Sequence, residues 1–356
     1  MHAAVRLVAA GRTARSALCA VRRAPRLARL QSTYVAPATG VNAAYDEAVK
    51  IIDAYSKQKA AEADAAAAEL SKAREAGVAG EQLQVLHKAW FDLAVESKIN
   101  DAEVLWNARR GNYDLAQPVY QHLRQQAWSG RPLEILMQRL LQMFVLPDML
   151  DPRFVGTPEA QLNVTLADGS GEAIEPGSIV DPAAAREEPQ IALVTFHDEP
   201  RLHTLVMVDM DEPCEETQSF CEKLHWAVAN LPFARSQPVA EAASGTVLLP
   251  YLPPHPAHGT PAHRYVFAVF EQGDAGQARI DGSAIDVGRA TTVRELVEAH
   301  GLRPVGLSFV RAAWNESVDS VYRDVLGQPA PRFGPPEPPR TDIGPDGRPV
   351  NTYAHV

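Results

Sequence analysis

The best candidates for binding or catalysis in this sequence are two carboxylates, two imidazoles and a phenol between positions 209 and 265. Asp209 and Asp211 end an apolar run, and His225 lies in the next one. His263 and Tyr265 follow a proline-rich loop, and because strand side chains alternate, both point to the same face. Imidazole and phenol groups hydrogen-bond phosphate oxygens, while a carboxylate orients a histidine or accepts from an amine. The residue types predict a small binding pocket, with satisfied polar residues of a protein core as the alternative.

The sequence around these residues lacks the patterns of catalysis or of a bound metal or cofactor. His255, His258 and His263 have loose metal-ligand spacing, but their loop offers no thiolate or carboxylate partner. The chain contains no Walker A motif, no dinucleotide-binding glycine motif opening a helix and no G-x-S-x-G. Cys214 and Cys221 fit neither a zinc site nor a disulfide framework, which favours reduced, inert thiols. We therefore expect a binding protein that is not an enzyme and needs no metal or cofactor.

Short β-rich segments separated by Pro, Gly and Asp must position the pocket residues. The segments are IALVTF from Ile191, HTLVMVD from His203, LHWAVAN from Leu224, GTVLLPY from Gly245 and RYVFAVFE from Arg264. Several short strands at this spacing predict an antiparallel β-sandwich. Thr292 and Glu295 form a capping-box pattern that Gly301 ends, which predicts one helix, and an apolar face predicts another over 316–326.

The sequence before the β-rich region predicts a helical arm. Apolar residues at helical spacing predict helices over 42–75 and 81–110, and prolines in the first turn predict two more over 118–128 and 132–146. Beyond the β-rich region, residues 329–349 contain eight prolines, which predicts an extended tail. The expected fold class is therefore α+β, with a helical arm, a β-sandwich and a proline-rich tail.

The first 34 residues predict the compartment. They hold seven arginines and no acidic residue, which is typical of a mitochondrial matrix presequence, with a disordered basic tail as the alternative. Without them the chain carries 27 basic and 44 acidic residues, a formal charge of −17. This acidity argues against DNA binding and against any broad nucleic-acid footprint. No apolar run approaches the roughly 20 residues that a membrane span needs.

Charge is unevenly distributed, and this makes the arm the better RNA candidate. Residues 35–150 have a formal charge of −3, whereas residues 151–330 have −14. The candidate contacts are basic residues interleaved with an aromatic one: Arg109, Arg110, Tyr113, Arg124, Arg131 and Arg139. A solvated helix face is the alternative interpretation of this pattern.

Three blocks of the β-rich region resemble the signature of the phosphatidylethanolamine-binding protein family. They are D-M-D-E-P from Asp209, H-W-A-V-A-N from His225 and Y-L-P-P-H-P-A-H-G-T-P-A-H-R-Y-V-F from Tyr251, followed by A-x-W-N-E-S-V from Ala312. The resemblance covers roughly residues 150–327. It implies an antiparallel β-sandwich with an anion-binding pocket.

The resemblance also carries the pocket over residue by residue. Asp209 matches the first aspartate of the family's D-P-D-x-P motif, His225 the histidine of the second block, and His263 with Tyr265 the H-R-Y element. Four positions depart from the family pattern: Met210 replaces a proline, Lys223 an aromatic wall residue, and His255 and Ala257 alter the loop at the pocket mouth. The departures imply that no small-molecule ligand is obligatory.

A second resemblance concerns the arm. G-N-Y-D-L-A-Q-P-V-Y-Q-H-L-R, from Gly111 to Arg124, resembles the segment before this domain in family members of the mitochondrial large ribosomal subunit. It implies a structural role at the central protuberance, with rRNA and neighbouring ribosomal proteins as partners. The alternatives are a matrix binder of phosphate or phospholipid headgroups and a protease inhibitor.

These patterns predict four regions: a presequence over 1–34, an arm over 35–150, a sandwich over 151–327 and a tail over 328–356. They also lead us to expect that the sandwich folds without the arm.

Overall fold

A computed structural model describes residues 34–334, apart from 79, 168, 198–199, 236 and 283–287 and the side chains of Glu81 and Asp274. The predicted presequence, except for Tyr34, and residues 335–356 of the predicted tail lie outside this part of the chain. Helices precede two antiparallel sheets, which confirms the predicted α+β class. None of the described helices combines the length and apolar character of a membrane span.

Helices dominate the chain as far as residue 155. They are α1 Ala43–Glu75, α2 Glu81–Lys98, α3 Ala102–Arg109, α4 Pro118–Ser129, α5 Arg131–Gln142, α6 Val145–Asp148 and α7 Pro152–Val155. The predicted helix over 81–110 is wrong as one element, because the Asp101 carboxylate accepts from the Glu103 N–H at 2.8 Å and begins a new helix. Asn42 caps α1 in the same way, accepting from the backbone of Ala44 and Tyr45.

The α1–α2 hairpin contributes little to the protein core. Of the 33 residues of α1, all of which are described, only Ala63 and Leu70 are buried. The hairpin is closed by polar contacts such as Ser56 Oγ, which donates to the Ser97 carbonyl at 2.6 Å. Ile51 is 71% exposed and Val85 62%. The hairpin therefore presents apolar side chains to its surroundings.

Eight strands form the two sheets. They are β1 Gln161–Thr165, β2 Gln190–Val194, β3 Arg201–Cys214, β4 Ser219–Phe233, β5 Val239–Ala240, β6 Thr246–Leu249, β7 His263–Glu271 and β8 Arg303–Ala312. The larger sheet has the order β6-β4-β3-β7-β8 and the smaller one β1-β2-β5. Leu162 and Leu193 of the small sheet pack with Leu205, Met207 and Val269 of the large one. This contact is the core of the predicted sandwich.

A second core covers the other face of the large sheet. Leu136 and Leu140 of α5 pack with Val206, Val266 and residues of a C-terminal helix in one buried cluster. Later helices are α8 Gly273–Gly276, α9 Val293–His300 and α10 Val318–Val321, which continues as a π-helical turn over Tyr322–Leu326. The capping box of α9 is present as predicted. Because α5 shares this core, removing residues 35–150 would expose the sheet.

Candidate functional site

Strands β3, β4 and β7 bring the predicted pocket residues to one end of the large sheet. Asp209 on β3 pairs with Tyr265 on β7 and with Lys223 on β4. His225 lies two residues beyond Lys223, and His263 two before Tyr265. Antiparallel pairing therefore places side chains that are up to 56 positions apart within one cluster.

Asp209 orients His263, as the residue types suggested. The carboxylate accepts from His263 Nδ1 at 2.8 Å, and its other oxygen accepts from the Asp211 N–H at 2.9 Å. His263 Nε2 lies 2.8 Å from the Thr260 hydroxyl, which donates to the Ala257 carbonyl. Every polar atom of the imidazole is thus bonded within the protein.

His225 and Tyr265 are buried with one polar atom each left over. His225 Nδ1 donates to the Leu252 carbonyl at 2.9 Å, which leaves Nε2 as an acceptor 4.0 Å from the Asp209 carboxylate. Burial holds the pKa of His225 well below its usual value. Burial and the nearby Asp209 raise the pKa of Tyr265. Among the described residues, neither His225 Nε2 nor the Tyr265 hydroxyl has a hydrogen-bond partner.

Lys223 and His255, two of the four positions that depart from the family pattern, cover the mouth of the pocket. The His255 ring stacks on His225 with 4.8 Å between ring centres. Its Nδ1 donates to the Pro253 carbonyl at 2.8 Å, and its Nε2 accepts from Lys223 Nζ at 3.1 Å. Burial, followed by the Lys223 charge, lowers the pKa of His255 to about 4. Lys223 also pairs with Glu212, so a continuous row of contacts holds the neutral imidazole over the pocket.

The C-terminal segment closes the loop from outside. The Tyr322 hydroxyl donates to the His255 carbonyl at 3.0 Å, and the Phe333 N–H donates to the His258 carbonyl at 2.8 Å. Gly259, at φ +90°, packs so tightly that an added Cβ would lie 1.7 Å from the Phe333 oxygen.

The cluster is inaccessible in this conformation. Its four residues are each at most 1% exposed: Asp209, His225, His263 and Tyr265. A ligand would reach them only after His255 or the segment around Phe333 moved.

Asp211 was a predicted pocket residue, but it faces away from this cluster. Its carboxylate binds the Arg264 guanidinium through two bonds, of 2.9 and 2.7 Å. Arg264 also donates to the Met143 carbonyl at 2.9 Å and to Asp148 at 3.0 Å. Asp211 therefore connects the sheet to the segment after α5, which is a structural task.

Three ligand atoms near the pocket would suit a cation by distance alone. Atoms of Asp209, Glu212 and His263 lie within 4.8 Å of one another. However, the Lys223 ammonium already pairs with Glu212, and both ring nitrogens of His263 are hydrogen-bonded. Lys223 therefore supplies the positive charge that a bound cation would otherwise provide to these three residues.

The predicted RNA contacts of the arm divide into two groups. Arg124 donates to Gln161 and lies over the Tyr113 ring at 5.4 Å, and Arg139 donates to the Pro176 carbonyl at 2.8 Å. These residues attach the arm to the small sheet and the adjoining loop. The exposed group consists of Arg109, Arg110 and Arg131. Arg110 stacks over Trp106 at 4.2 Å.

A cleft that sequence patterns did not indicate lies between α2 and one end of the large sheet. It has a volume of about 450 Å³, and none of its described lining residues is acidic. Its lining includes four cationic and three aromatic residues: Arg74, Lys88, Arg201, Arg235, Trp90, Phe91 and Phe196. These residues come from separate segments of the chain, so no local pattern could have revealed the cleft.

The β-region, which carries the pocket, is similar to a known protein family. Residues 167–311 match the family model for phosphatidylethanolamine-binding protein. The match therefore covers the β-region and less than half of the chain. The domain match includes all four clustered residues as well as Lys223 and His255, which cover them. The residues that close the pocket therefore lie within the matched region and in the C-terminal segment that follows it.

The chain is also similar to individual proteins. It is 25% identical over 291 residues to the large ribosomal subunit protein mL38 of Schizosaccharomyces pombe, covering 79% of this chain and 89% of the relative. It is 33% identical over 111 residues to the protein MOTHER of FT and TFL1 homolog 2 of Oryza sativa subsp. japonica, covering 31% of this chain and 58% of that relative. Among solved structures, a carboxypeptidase Y inhibitor in complex with its proteinase is 22% identical, with a TM-score of 0.43, and the match covers 51% of this chain and 97% of the inhibitor.

Proposed function

We propose that this chain is a structural constituent of the mitochondrial large ribosomal subunit and so serves translation in the matrix. The observation that carries the proposal is the similarity to the fission yeast ribosomal protein over 79% of the chain. The phosphatidylethanolamine-binding domain accounts for less than half of the chain, so this similarity also covers sequence outside the domain. A relative that shared the domain alone would not give such coverage.

The N-terminal sequence supports the compartment. Seven arginines without an acidic residue in the first 34 positions are typical of a matrix presequence. From the resemblance of the arm segment at Gly111, we further propose that the protein lies at the central protuberance. Its partners there are rRNA and neighbouring ribosomal proteins.

The surface of the arm supports contact with such partners. The exposed Arg109, Arg110 and Arg131 supply positive charge on a chain that is otherwise acidic. Ile51 and Val85 on the α1–α2 hairpin are exposed apolar residues that a protein neighbour would cover. The basic and aromatic cleft beside α2 suits phosphates and stacked bases. Together these features make the arm the anchor in our proposal.

The state of the pocket supports a scaffold role over an enzymatic or ligand-binding one. A matrix binder of phosphate or phospholipid headgroups needs Asp209, His225, His263 and Tyr265 to be reachable, and their exposure is at most 1%. Asp209 and His263 are already satisfied by protein partners. The domain accordingly serves as a rigid body whose inherited cavity is closed.

Sedimentation tests the proposal directly. Tagged full-length chain in mitochondrial lysate should migrate with the large subunit in a sucrose gradient, including at high salt. It should move to lighter fractions when chelation of Mg²⁺ dismantles the particle, while a soluble matrix enzyme stays at the top throughout. A chain that remains at the top of the gradient as a free monomer would overturn the ribosomal assignment.

A further inference from the structure

Cys214 and Cys221 lie at the end of the β3–β4 hairpin, and the structure brings them together. The strand register pairs Cys214 with Ser219 and Cys221 with Glu212. Paired residues point to the same side of a sheet and side chains alternate, so both cysteines lie on one face as diagonal neighbours. Both thiols are free, and each lies close enough to the other to affect its pKa. The sequence, in which the two are seven positions apart, did not indicate this contact.

The two sulfurs differ in their surroundings. Hydrogen bonds from the side chain and backbone of Thr217 lower the pKa of the Cys214 thiol. Partial covering of the Cys221 thiol, followed by its proximity to Cys214, raises the pKa of Cys221. Cys221 is nevertheless an exposed residue, and Cys214 is half-buried. Since the thiolate is the nucleophile, Cys214 is the sulfur that reacts first.

We propose that Cys214 and Cys221 form a peroxide-sensitive dithiol that closes to a disulfide across the hairpin. The Cys214 thiolate attacks hydrogen peroxide, an S–O bond forms as the O–O bond breaks, and hydroxide leaves to become water. The Cys221 thiol then attacks the Cys214 sulfenic acid, an S–S bond forms as the S–O bond breaks, and a second water leaves. In total, two thiols and one peroxide give one disulfide and two waters.

The position of the pair gives the modification a structural consequence. Glu212 lies directly across from Cys221, and it pairs with Lys223, which holds His255 over the pocket. A disulfide would fix the strand ends that carry this row of contacts. In reducing compartments, such cysteine pairs serve as transient redox sensors. This inference is independent of the proposed ribosomal role.

Peroxide titration of the reduced full chain, with Cys19→Ser to remove the third cysteine, tests the proposal. After alkylation, peptide mass spectrometry should find Cys214 linked to Cys221 with the loss of two hydrogen atoms, and dithiothreitol should reverse the link. In Cys221→Ser, Cys214 should stop at a sulfenic acid that dimedone traps. In Cys214→Ser, Cys221 should remain a thiol at the same peroxide dose.

Three results would overturn the proposal. In the first, both cysteines remain fully alkylated, with no disulfide, at peroxide doses that oxidise exposed methionines. In the second, disulfides form only between two chains. In the third, Cys221 in Cys214→Ser gains sulfenic acid as fast as Cys214 does in Cys221→Ser. As a check on the order of reaction, Thr217→Val should slow the oxidation of Cys214 severalfold, and Thr217→Ser should restore it.

Discussion

In the pocket, each of the four clustered residues is at most 1% exposed, and His255, Lys223 and the segment around Phe333 close it. In the α1–α2 hairpin, by contrast, Ile51 is 71% exposed and the first helix buries only Ala63 and Leu70 of its described residues. Most polar groups of the pocket are hydrogen-bonded within the protein. The hairpin instead leaves apolar side chains exposed, where a neighbouring molecule can contact them.

The pocket residues therefore identify the fold, whereas we propose that the hairpin attaches the protein to a larger assembly. The pocket residues carry the family signature, yet they are unavailable to a ligand in this conformation. The hairpin carries no such signature but offers the surface that a large assembly would cover. A binding module can therefore keep its defining residues as core while an added arm supplies new contacts.

The first prediction tests where the arm ends and the core begins. Leu140 is fully buried on α5 within the core of the large sheet, whereas its neighbour Leu141 is 46% exposed. Leu140→Ala should lower the free energy of unfolding by about 2–5 kcal/mol, because it removes buried methyl groups and leaves a cavity. Urea denaturation measures the change.

Leu141→Ala is the matched control and should change the free energy of unfolding by less than about 0.5 kcal/mol. Equal effects at the two positions would show that α5 belongs to the arm and lies free of the sheet.

The second prediction concerns the closed pocket and pH. His255 is buried and neutral, and its pKa of about 4 lies below the value of about 6.5 in the unfolded chain. The unfolded state therefore binds the extra proton between these values, so stability falls as pH drops from 6.5 towards 4. This histidine contributes about 3 kcal/mol to that loss.

Unfolding free energies measured across this pH range in wild type and His255→Gln check the effect. The variant should show a slope smaller by about 1.4 kcal/mol per pH unit in the middle of the window. Tyr322→Phe removes the hydrogen bond to the His255 carbonyl without removing a group that titrates there, so its slope should match wild type. An unchanged slope in His255→Gln would mean that water reaches the imidazole.

The smallest predicted effect concerns the exposed arginines of the arm. The double variant Arg109→Ala with Arg110→Ala should dissociate from large subunits at a lower salt concentration than wild type. Each lost phosphate contact weakens binding and lowers the number of counterions released on binding by roughly one. Stepwise salt washes followed by pelleting measure the release. Arg323→Ala removes an exposed arginine that already pairs with Asp324 at 2.9 Å, and it should leave the release point unchanged. Identical behaviour of both variants would remove Arg109 and Arg110 from the proposed interface.

Local signals explain which parts of the fold were predictable. Asn42 and the Thr292–Glu295 capping box give helix starts that depend only on adjacent residues, and both are confirmed. The break at Asp101 had a capping residue in the sequence, but the apolar stripe on both sides hid it. Strand β8 was missed because Pro304 and Gly306 interrupt its apolar run, and both residue types are disfavoured inside strands.

The candidate site was predictable in its members but not in its closure. Alternation and the family motif named Asp209, His263 and Tyr265, and the strand register brings them together. Lys223 and His255 were visible as departures from the family pattern, yet their contact joins positions 32 residues apart. Likewise, the positive charge of Arg139 predicted an RNA contact, but in the structure its guanidinium donates a hydrogen bond to the Pro176 carbonyl. Such long-range pairings depend on tertiary packing, which local sequence does not encode.

We propose that the arm attaches the protein to the large ribosomal subunit and that the closed pocket serves only as part of a scaffold. One gradient experiment tests both statements. A chain lacking residues 36–98 should fail to enter the large subunit yet keep its melting temperature near that of wild type, because neither core of the β-domain contains a residue of this segment. Tyr265→Phe, which removes one buried hydroxyl that has no partner among the described residues, should enter as wild type does. Normal entry of the deletion, or loss of entry in Tyr265→Phe with its fold intact, would contradict the account.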